Sequence, residues 1–181
     1  MHRSLEYVDR LIVAGRWRGR TISAPVGRQV RPTADRVREA WMSIVASLLP
    51  DARVLDLCAG SGALGIEAVS RGAAYADLVE IAPPSLRAIQ DNLAKLDAGD
   101  SIRVHRKDAL RFIEGLDAGA YDVAFADPPY DVGMASAIAE RWLAVPFASV
   151  LGIEHRRDEP VPAGGERRKY GQTAITFYRR D

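Results

Sequence analysis

The chain has 181 residues, 48% of them hydrophobic, which fits one domain with a sizeable core. Its single cysteine, Cys58, excludes an intrachain disulfide and fits a reducing compartment. No apolar run reaches the ~18 residues that a bilayer span requires. Residues 1–10 also lack the apolar segment of a signal peptide. We therefore expect a cytoplasmic protein that makes no use of a membrane.

The net charge is only +1, but it is unevenly distributed along the chain. Residues 1–38 contain nine arginines and three acidic residues, a net charge of +6, which leaves −5 for the remainder. A basic segment on a mildly acidic body favours an anionic partner such as a nucleic acid. A solvated segment of an arginine-rich chain explains the same charges, and the charge pattern leaves both interpretations open.

The first 50 residues predict a hairpin followed by a helix. Short apolar runs at Leu11–Ala14 and Thr21–Ala24 flank a basic turn bounded by glycines, Gly15–Arg20. A loop containing prolines leads to a helix over residues 34–49, with Thr33 as its N-cap. One face of this helix is apolar, formed by Val37, Ala40, Trp41, Ile44, Val45 and Leu48.

From residue 53 onward, predicted strands alternate with predicted helices. The strands are Arg53–Leu57, Ala76–Ile81, Ile102–His105, Tyr121–Ala126 and Ser149–Glu154. The helices are Ala63–Ser70, Pro83–Leu96, Ala109–Leu116 and Met134–Ala144, and a hairpin of Glu166–Tyr170 and Ala174–Arg179 closes the chain. The alternation predicts an α/β fold of the doubly wound, Rossmann-like class, with a mostly parallel sheet. We divide the chain into a basic hairpin arm, residues 1–30, and a domain over residues 31–181.

A glycine-rich run, Asp56–Gly65, joins the first of these strands to its helix. Gly60 and Gly62 remove side chains where a ligand must approach the backbone. The acid Asp56 disfavours a pyrophosphate and attracts an ammonium group, whereas a phosphate-binding loop favours lysine or bare amides. S-adenosylmethionine carries an ammonium group and a sulfonium and no phosphate, so it is the cofactor that this loop predicts. Cys58 has no evident base partner, and we interpret it as a small packing residue.

Two further acids follow the next two strands. Glu80 is placed to accept the ribose hydroxyls of a nucleoside, although a surface acid at a strand end is the alternative. Asp108 is placed either to accept an adenine amino group or to cap the helix that begins at Ala109. The histidines lack the spacing of zinc ligands, and we expect no metal site.

The most specific motif is Asp127-Pro128-Pro129-Tyr130, after the strand that ends at Ala126. Two prolines remove two backbone donors and prevent a helix, which leaves nearby carbonyl groups free to accept hydrogen bonds. The amino group of a base offers two N–H donors, which Asp127 and a proline carbonyl accept in this prediction, while Tyr130 stacks on the base. Because an exocyclic amine is a poor nucleophile, holding it in line with a methyl donor is the main catalytic lever.

These motifs together resemble those of a known family. The glycine loop followed by Asp-Pro-Pro-Tyr is similar to class I methyltransferases that modify exocyclic amines. The runs Leu11–Arg20, Arg31–Ala40, Glu67–Ala73 and Tyr170–Thr173 resemble one branch, the bacterial 16S ribosomal RNA guanine-N2 methyltransferases. Two departures are Cys58, where an aromatic residue is common in the family, and the run from Glu80 to Pro84.

The resemblance implies a seven-stranded sheet with its last strand antiparallel, and methyl transfer from S-adenosylmethionine to guanine N2 in 16S rRNA or the small ribosomal subunit. Asp127, Pro128, Pro129 and Tyr130 are implied as the catalytic group. The implied cofactor site comprises Asp56, Cys58, Ala59, Gly60, Ser61, Gly62, Glu80, Ile81, Asp108, Ala109 and Asp127. The implied RNA contacts are Arg16, Trp17, Arg18, Arg20, Arg31, Arg36 and Arg38, although Trp17 is equally suited to anchor the hairpin on the body.

Three other functions share some of these features. A DNA adenine-N6 methyltransferase uses the same Asp-Pro-Pro-Tyr chemistry but usually needs a sequence-reading domain, for which this chain has no room. A protein glutamine methyltransferase favours Asn at the position of Asp127. A catalytically inactive RNA-binding assembly factor has no need for acids at positions 56, 80 and 127.

Overall fold

The structure, a computed structural model, describes residues 7–26 and 32–181, with side chains in the second range from residue 35 onward. Strands β1 (Tyr7–Leu11) and β2 (Thr21–Pro25) form an antiparallel hairpin, with Leu11 opposite Thr21. Helix α1 (Pro32–Val45) follows and continues into a single 3₁₀ turn at Ala46–Leu48.

The main sheet has seven strands with helices between them. Its strands are β3 (Arg53–Leu57), β4 (Tyr75–Glu80), β5 (Ile102–Arg106), β6 (Tyr121–Ala126), β7 (Ala148–Arg156), β8 (Glu166–Tyr170) and β9 (Thr173–Arg179). The helices are α2 (Ala63–Ser70), α3 (Pro83–Leu96), α4 (Ala109–Glu114) and α5 (Met134–Ala144). The strand order is β5-β4-β3-β6-β7-β9-β8. β9 runs antiparallel to both of its neighbours, and the other strand pairs are parallel.

This arrangement confirms the predicted α/β fold and the antiparallel last strand. The bounds of β3, α2, α3, β6 and α5 are those predicted from the sequence. Glycine and proline mark the ends of these helices. Gly72, with a φ of 111°, follows α2. Pro83 begins α3, at a position where a backbone N–H would have no intrahelical acceptor.

Two local predictions were wrong. The first hairpin strand ends at Leu11 instead of spanning Leu11–Ala14, because the backbone N–H groups of Val13 and Ala14 donate to the Glu67 carboxylate on α2. Helix α1 begins at Pro32, so Thr33 lies inside its first turn and is not the N-cap. Proline suits this position because the first helical N–H groups have no intrahelical acceptor.

The sheet is covered on both faces by two hydrophobic clusters. One contains Trp41 of α1 and Phe125 of β6, whose rings meet edge to face with centroids 5.5 Å apart. The other packs Trp142 of α5 against Tyr178 of β9. In the described part of the chain, no helix combines the length and apolar character that crossing a membrane demands.

The hairpin is docked on the body through its turn. Ile12, Trp17 and Ile22 are buried in the cluster that contains Trp41. The turn sits directly on the end of α2, where a Cβ atom on Gly15 would overlap the carbonyl of Ser70. The Ser70 hydroxyl donates to the carbonyl of Ala14 at 2.6 Å and accepts the N–H of Trp17 at 3.1 Å. The division into an arm and a domain near residue 30 stays a prediction.

Glu67 is the polar centre of this docking. It is 2% exposed, accepts the N–H groups of Val13 and Ala14 at 3.1 and 3.2 Å, and pairs with Arg71 at 3.0 Å. We predict that Glu67→Ala lowers the free energy of unfolding by about 2–4 kcal/mol, because it leaves two backbone donors and a guanidinium without their acceptor.

Denaturant unfolding measures this loss, and Glu140→Ala on the exposed face of α5 is the control, with an expected change within about 0.5 kcal/mol. An equal, small effect of both substitutions would contradict the docking role of Glu67.

Candidate active site

The glycine loop is shaped by the acid that precedes it. Asp56 is 1% exposed, and its Oδ2 accepts the backbone N–H of Gly65 in the first turn of α2 at 3.0 Å. Burial raises the pKa of Asp56 to about 7, although the hydrogen bond from Gly65 acts in the opposite direction. Asp56 therefore holds the loop against the helix, and its contact with a ligand ammonium group stays a prediction.

Glu80 links the glycine loop to the end of β4. Its carboxylate accepts the N–H of Gly60 at 2.7 Å and those of Ile81 and Ala82 at 2.9 Å each. A carboxylate offers about four lone-pair sites, so about one remains for a ligand hydroxyl. A ribose held through two hydroxyls must therefore displace one of these backbone donors.

The next residues fit an adenosine on this edge of the sheet. Ile81 is 56% exposed beside Glu80, and its contact with a purine stays a prediction. Asp108 caps α4, since its Oδ1 accepts the N–H of Arg111 at 3.1 Å, and its other oxygen is available for an amino group. The capping role that the sequence left open is therefore observed, and the adenine contact stays a prediction.

Cys58 has an unusual backbone and an unreactive side chain. Its φ is 58°, a left-handed conformation that non-glycine residues seldom adopt. Its Sγ lies 3.7 Å from Sδ of Met134, and burial raises the pKa of the thiol far above its ordinary range. The thiol therefore stays protonated, which agrees with its interpretation as a packing residue.

The Asp-Pro-Pro-Tyr motif leaves the sheet beside the glycine loop. The N–H of Asp127 donates to the carbonyl of Leu57 at 3.4 Å, which holds the end of β6 against β3. Pro128 is buried, Pro129 is exposed, and the side chains of Asp127 and Tyr130 are partly exposed. The motif thus adjoins the loop predicted to hold the methyl donor.

Tyr130 is held by two side chains of the neighbouring strands. Its hydroxyl donates to Oε1 of Glu154 on β7 at 3.0 Å and lies 2.9 Å from the hydroxyl of Thr173 on β9. Burial, followed by the charge of Glu154, raises the pKa of Tyr130 to about 12, so the hydroxyl stays protonated. These hydrogen bonds fix the ring and occupy its hydroxyl. The part of Tyr130 that remains for stacking on a base is the face of the ring.

Asp127 and Glu154 form a carboxyl pair. They share a hydrogen bond, and burial and the charge of Glu154 raise the pKa of Asp127 well above its ordinary range. Burial also raises the pKa of Glu154, while Tyr130 and Asp127 lower it through their hydrogen bonds. The two carboxyl groups therefore lie within hydrogen-bond distance of each other and ionise together less readily than two separate acids do. Arg10 of β1 lowers the pKa of both groups through its charge.

Sequence reasoning missed three of these residues. Glu154 was predicted only as the end of a strand, Thr173 as part of a turn, and Arg10 as one of many basic residues. The order of β6, β7 and β9 in the sheet brings Glu154 and Thr173 to Tyr130. The one signal in the sequence that could have indicated Glu154 is its place as an acid at the end of the strand that follows Asp-Pro-Pro-Tyr.

Two predicted RNA contacts have a different role in the structure. Trp17 is 7% exposed within the hydrophobic cluster, so its ring anchors the hairpin, and a contact between this ring and RNA stays a prediction that the burial disfavours. Arg38 is 8% exposed and donates to the carbonyl of Leu11 at 3.1 Å, so it too supports the hairpin. Arg36 is exposed, and Arg31 lies outside the described residues.

The basic turn lies at the amino edge of the sheet, away from the motif. Arg16 donates to the hydroxyl of Ser101, immediately before β5, and Arg20 donates to the carbonyl of Lys95 near the end of α3. Arg18 is exposed. A five-residue strand such as β3 spans ~17 Å, so the turn is at least about this far from Asp127.

Other cations lie at the carboxyl edge, near the motif. Arg156 ends β7, with its guanidinium 5.6 Å from the Tyr130 ring and its Nε 2.8 Å from Asp131. The exposed Arg168 and Lys169 lie on β8, the edge strand, just before its carboxyl end. Among the described residues, no group of three or more His, Cys, Asp or Glu side chains is arranged to hold a metal ion.

A family model described as Conserved hypothetical protein 95 matches residues 11–179. The chain belongs to this family. The protein named Ribosomal RNA small subunit methyltransferase D, from Escherichia coli (strain K12), is 37% identical over 179 residues, which cover 94% of this chain and 89% of the relative. The resemblance that the motifs predicted is therefore confirmed.

Solved structures show the same fold. A putative methyltransferase, YhhF, from Escherichia coli has a TM-score of 0.82 and 33% identity, and the match covers 96% of this chain and 99% of that one. A T. thermophilus 16S rRNA N2 G1207 methyltransferase, solved with AdoMet and guanosine, has a TM-score of 0.71 at 19% identity, covering 98% of this chain and 51% of that one. The chain has the class I methyltransferase fold. The cofactor of this fold is S-adenosylmethionine, which the glycine loop, Glu80 and Ile81 fit.

Gly60 offers a direct test of the cofactor site. Gly60 has a φ of 60°, a conformation that favours glycine, and its N–H donates to Glu80. A side chain at position 60 would strain the loop and cover the backbone that we expect a ligand to approach. We predict that Gly60→Val weakens S-adenosylmethionine binding at least tenfold in calorimetry. Gly99→Val is the matched control, because Gly99 has a φ of 59° and a Cβ added there would meet no atom within 4 Å. Equal affinities of the two variants would contradict the prediction that the backbone of the glycine loop contacts the cofactor at Gly60.

The carboxyl pair predicts a pH dependence. Ionised Asp127 accepts a base N–H more strongly than the protonated acid does, and its pKa is raised, so kcat/KM should rise with pH through a range above the ordinary titration of aspartate. In Asp127→Asn, one carboxyl is neutral and the mutual repulsion is gone, so the remaining acid limb should move to lower pH. An acid limb at the same pH in both proteins would contradict the pairing.

Proposed function

We propose that the protein transfers a methyl group from S-adenosylmethionine to the exocyclic N2 of a guanine in 16S rRNA of the small ribosomal subunit, in the cytoplasm. The observation that carries this proposal is the Asp-Pro-Pro-Tyr motif, with its carboxyl pair, set beside the glycine loop at one edge of the sheet. The identity to the small subunit methyltransferase over nearly the whole chain supports the substrate class.

The chain's own residues position the amine. Bound S-adenosylmethionine supplies an electrophilic methyl group on its sulfonium. Asp127, once deprotonated, accepts one N2–H, and the carbonyl of Pro128 accepts the other, which fixes the direction of the nitrogen lone pair. Tyr130, held by Glu154 and Thr173, supports the face of the base. The proton released from the methylated amine needs no strong base, since that cation is acidic, and Asp127 is the nearest acceptor.

An experiment on the reaction separates this proposal from its rivals. Small ribosomal subunits that lack the modification are incubated with the protein and radiolabelled S-adenosylmethionine, and the labelled nucleoside is identified. We expect N2-methylguanosine, and loss of label with Asp127→Ala and Tyr130→Ala, whose cofactor affinity should be retained. Label in N6-methyladenine of a DNA control, in protein, or nowhere would overturn the proposal.

RNA binding is expected to extend well beyond the target base. The basic turn and the motif lie at opposite edges of the sheet, and the exposed Arg36, Arg168 and Lys169 add further cations. Phosphate contacts by such residues position the substrate without reading its sequence. An RNA surface that includes the turn therefore requires a substrate that reaches both edges, as a folded ribosomal RNA does.

We predict that reversing Arg16, Arg18 and Arg20 to Glu weakens RNA binding and lowers the slope of log affinity against log salt by about 2–3, since each lost phosphate contact removes about one ion. A filter-binding titration at several salt concentrations measures this slope. Reversal of Arg87, Arg111 and Arg180, which are also exposed, makes the same change in net charge. Equal losses with both triple variants would show a general charge effect and contradict a specific contact.

A further inference from the structure

One partly buried interaction in the site, made by Glu154, has no part in holding an amine. Glu154 lies on β7, in the strand beside β6, where Ala126 pairs with Ile153. It accepts the hydroxyl of Tyr130 at 3.0 Å and shares a hydrogen bond with Asp127. Asp127 and the Pro128 carbonyl already provide two acceptors for the two N2–H donors. Glu154 therefore adds an acid that the positioning of an amine alone does not require.

The edge of the base explains the need for a second carboxylate. Guanine carries the N1–H donor directly beside its N2 amino group, so this edge presents adjacent donors. Adenine carries an unprotonated N1 beside its N6 amino group, so its edge presents a donor next to an acceptor. Enzymes that extrude a base read it through hydrogen bonds to this edge. Two carboxylates at this edge, once both are ionised, accept from adjacent donors and repel an adjacent acceptor.

We propose that Glu154 is the residue that selects guanine: its carboxylate accepts N1–H while Asp127 and the Pro128 carbonyl hold N2. This inference rests on the proposed function and names the residue that distinguishes its base. In the free protein, the two acids share a hydrogen bond. Entry of guanine replaces that hydrogen bond with two N–H donors, one to each carboxyl group, and any proton that the pair carries passes to solvent.

The charges around the pair are consistent with this role. Arg10 of β1 lowers the pKa of both acids, Asp56 raises that of Asp127, and the Tyr130 hydroxyl donates to Glu154. Thr173 contacts only the Tyr130 hydroxyl among these groups, so it supports the ring without facing the base edge in this arrangement.

The test uses 2-aminopurine, which keeps the amino group at C2 but has an unprotonated N1. Small subunits lacking the modification are reconstituted from 16S rRNA that carries either guanine or 2-aminopurine at the nucleotide mapped in the transfer assay. Single-turnover kcat/KM is measured for the wild-type protein, Glu154→Gln and Thr173→Val. The glutamine amide can turn its NH₂ group toward an unprotonated N1, whereas an ionised glutamate has no donor to offer.

We expect the wild-type protein to prefer guanine at least about 100-fold, because a site built to accept a hydrogen bond rejects an analogue that lacks the donor. Glu154→Gln should lose at least tenfold on guanine and gain at least tenfold on 2-aminopurine. Thr173→Val should slow both bases by the same factor and keep the preference. S-adenosylmethionine affinity, unchanged in all three proteins, confirms that each variant is folded.

Two outcomes would overturn the role of Glu154. One is a wild-type protein with the same kcat/KM on 2-aminopurine as on guanine, an outcome that can be observed without any variant. The other is a Glu154→Gln protein that slows both bases equally, as a merely structural residue would. Label in N2-methylguanosine from guanine subunits tests the proposed function alone. The ratio of kcat/KM on guanine to that on 2-aminopurine tests the role of Glu154, so failure of the one can be told from failure of the other.

Discussion

The parallel register of β3, β4, β6 and β7 is the constraint on which the site depends. Because parallel strands end at the same edge of a sheet, Asp56, Glu80, Asp127 and Glu154 meet there although up to 98 positions separate them in the sequence. The groups around each acid determine its role. Asp56 and Glu80 accept backbone N–H groups and shape the glycine loop, and Asp127 and Glu154 share a hydrogen bond.

The hairpin belongs to this arrangement and is not a loose arm. Its turn is fixed to α2 by Glu67 and Ser70, and Arg10, next to the last residue of β1, lowers the pKa of both acids of the carboxyl pair through its charge. Ser23 of β2 exchanges hydrogen bonds with Asn92 of α3, which also donates to the carbonyl of Ser61 in the glycine loop. The same segment thus joins the amino edge, the cofactor loop and the carboxyl pair.

Much of the fold followed from local patterns in the sequence. The bounds of α2 and α3 were predictable because glycine and proline mark their ends, and Asp-Pro-Pro-Tyr indicated the candidate site because its chemistry is carried by adjacent residues. The end of β1 was not predictable, since a carboxylate 54 positions away captures the N–H of Val13. Trp17 was ambiguous because the sequence does not show what covers it. Glu154 was missed because its role arises only from the order of the strands.

The most direct measurement is a cryo-EM reconstruction of the protein, loaded with S-adenosylhomocysteine, on small ribosomal subunits that lack the modification. We predict an extruded guanine on Tyr130, with N2 between Asp127 and the Pro128 carbonyl and N1 at Glu154, while the basic turn contacts phosphates at the opposite edge. A base held elsewhere, or one whose Watson–Crick edge points away from the two carboxyl groups, would contradict this arrangement.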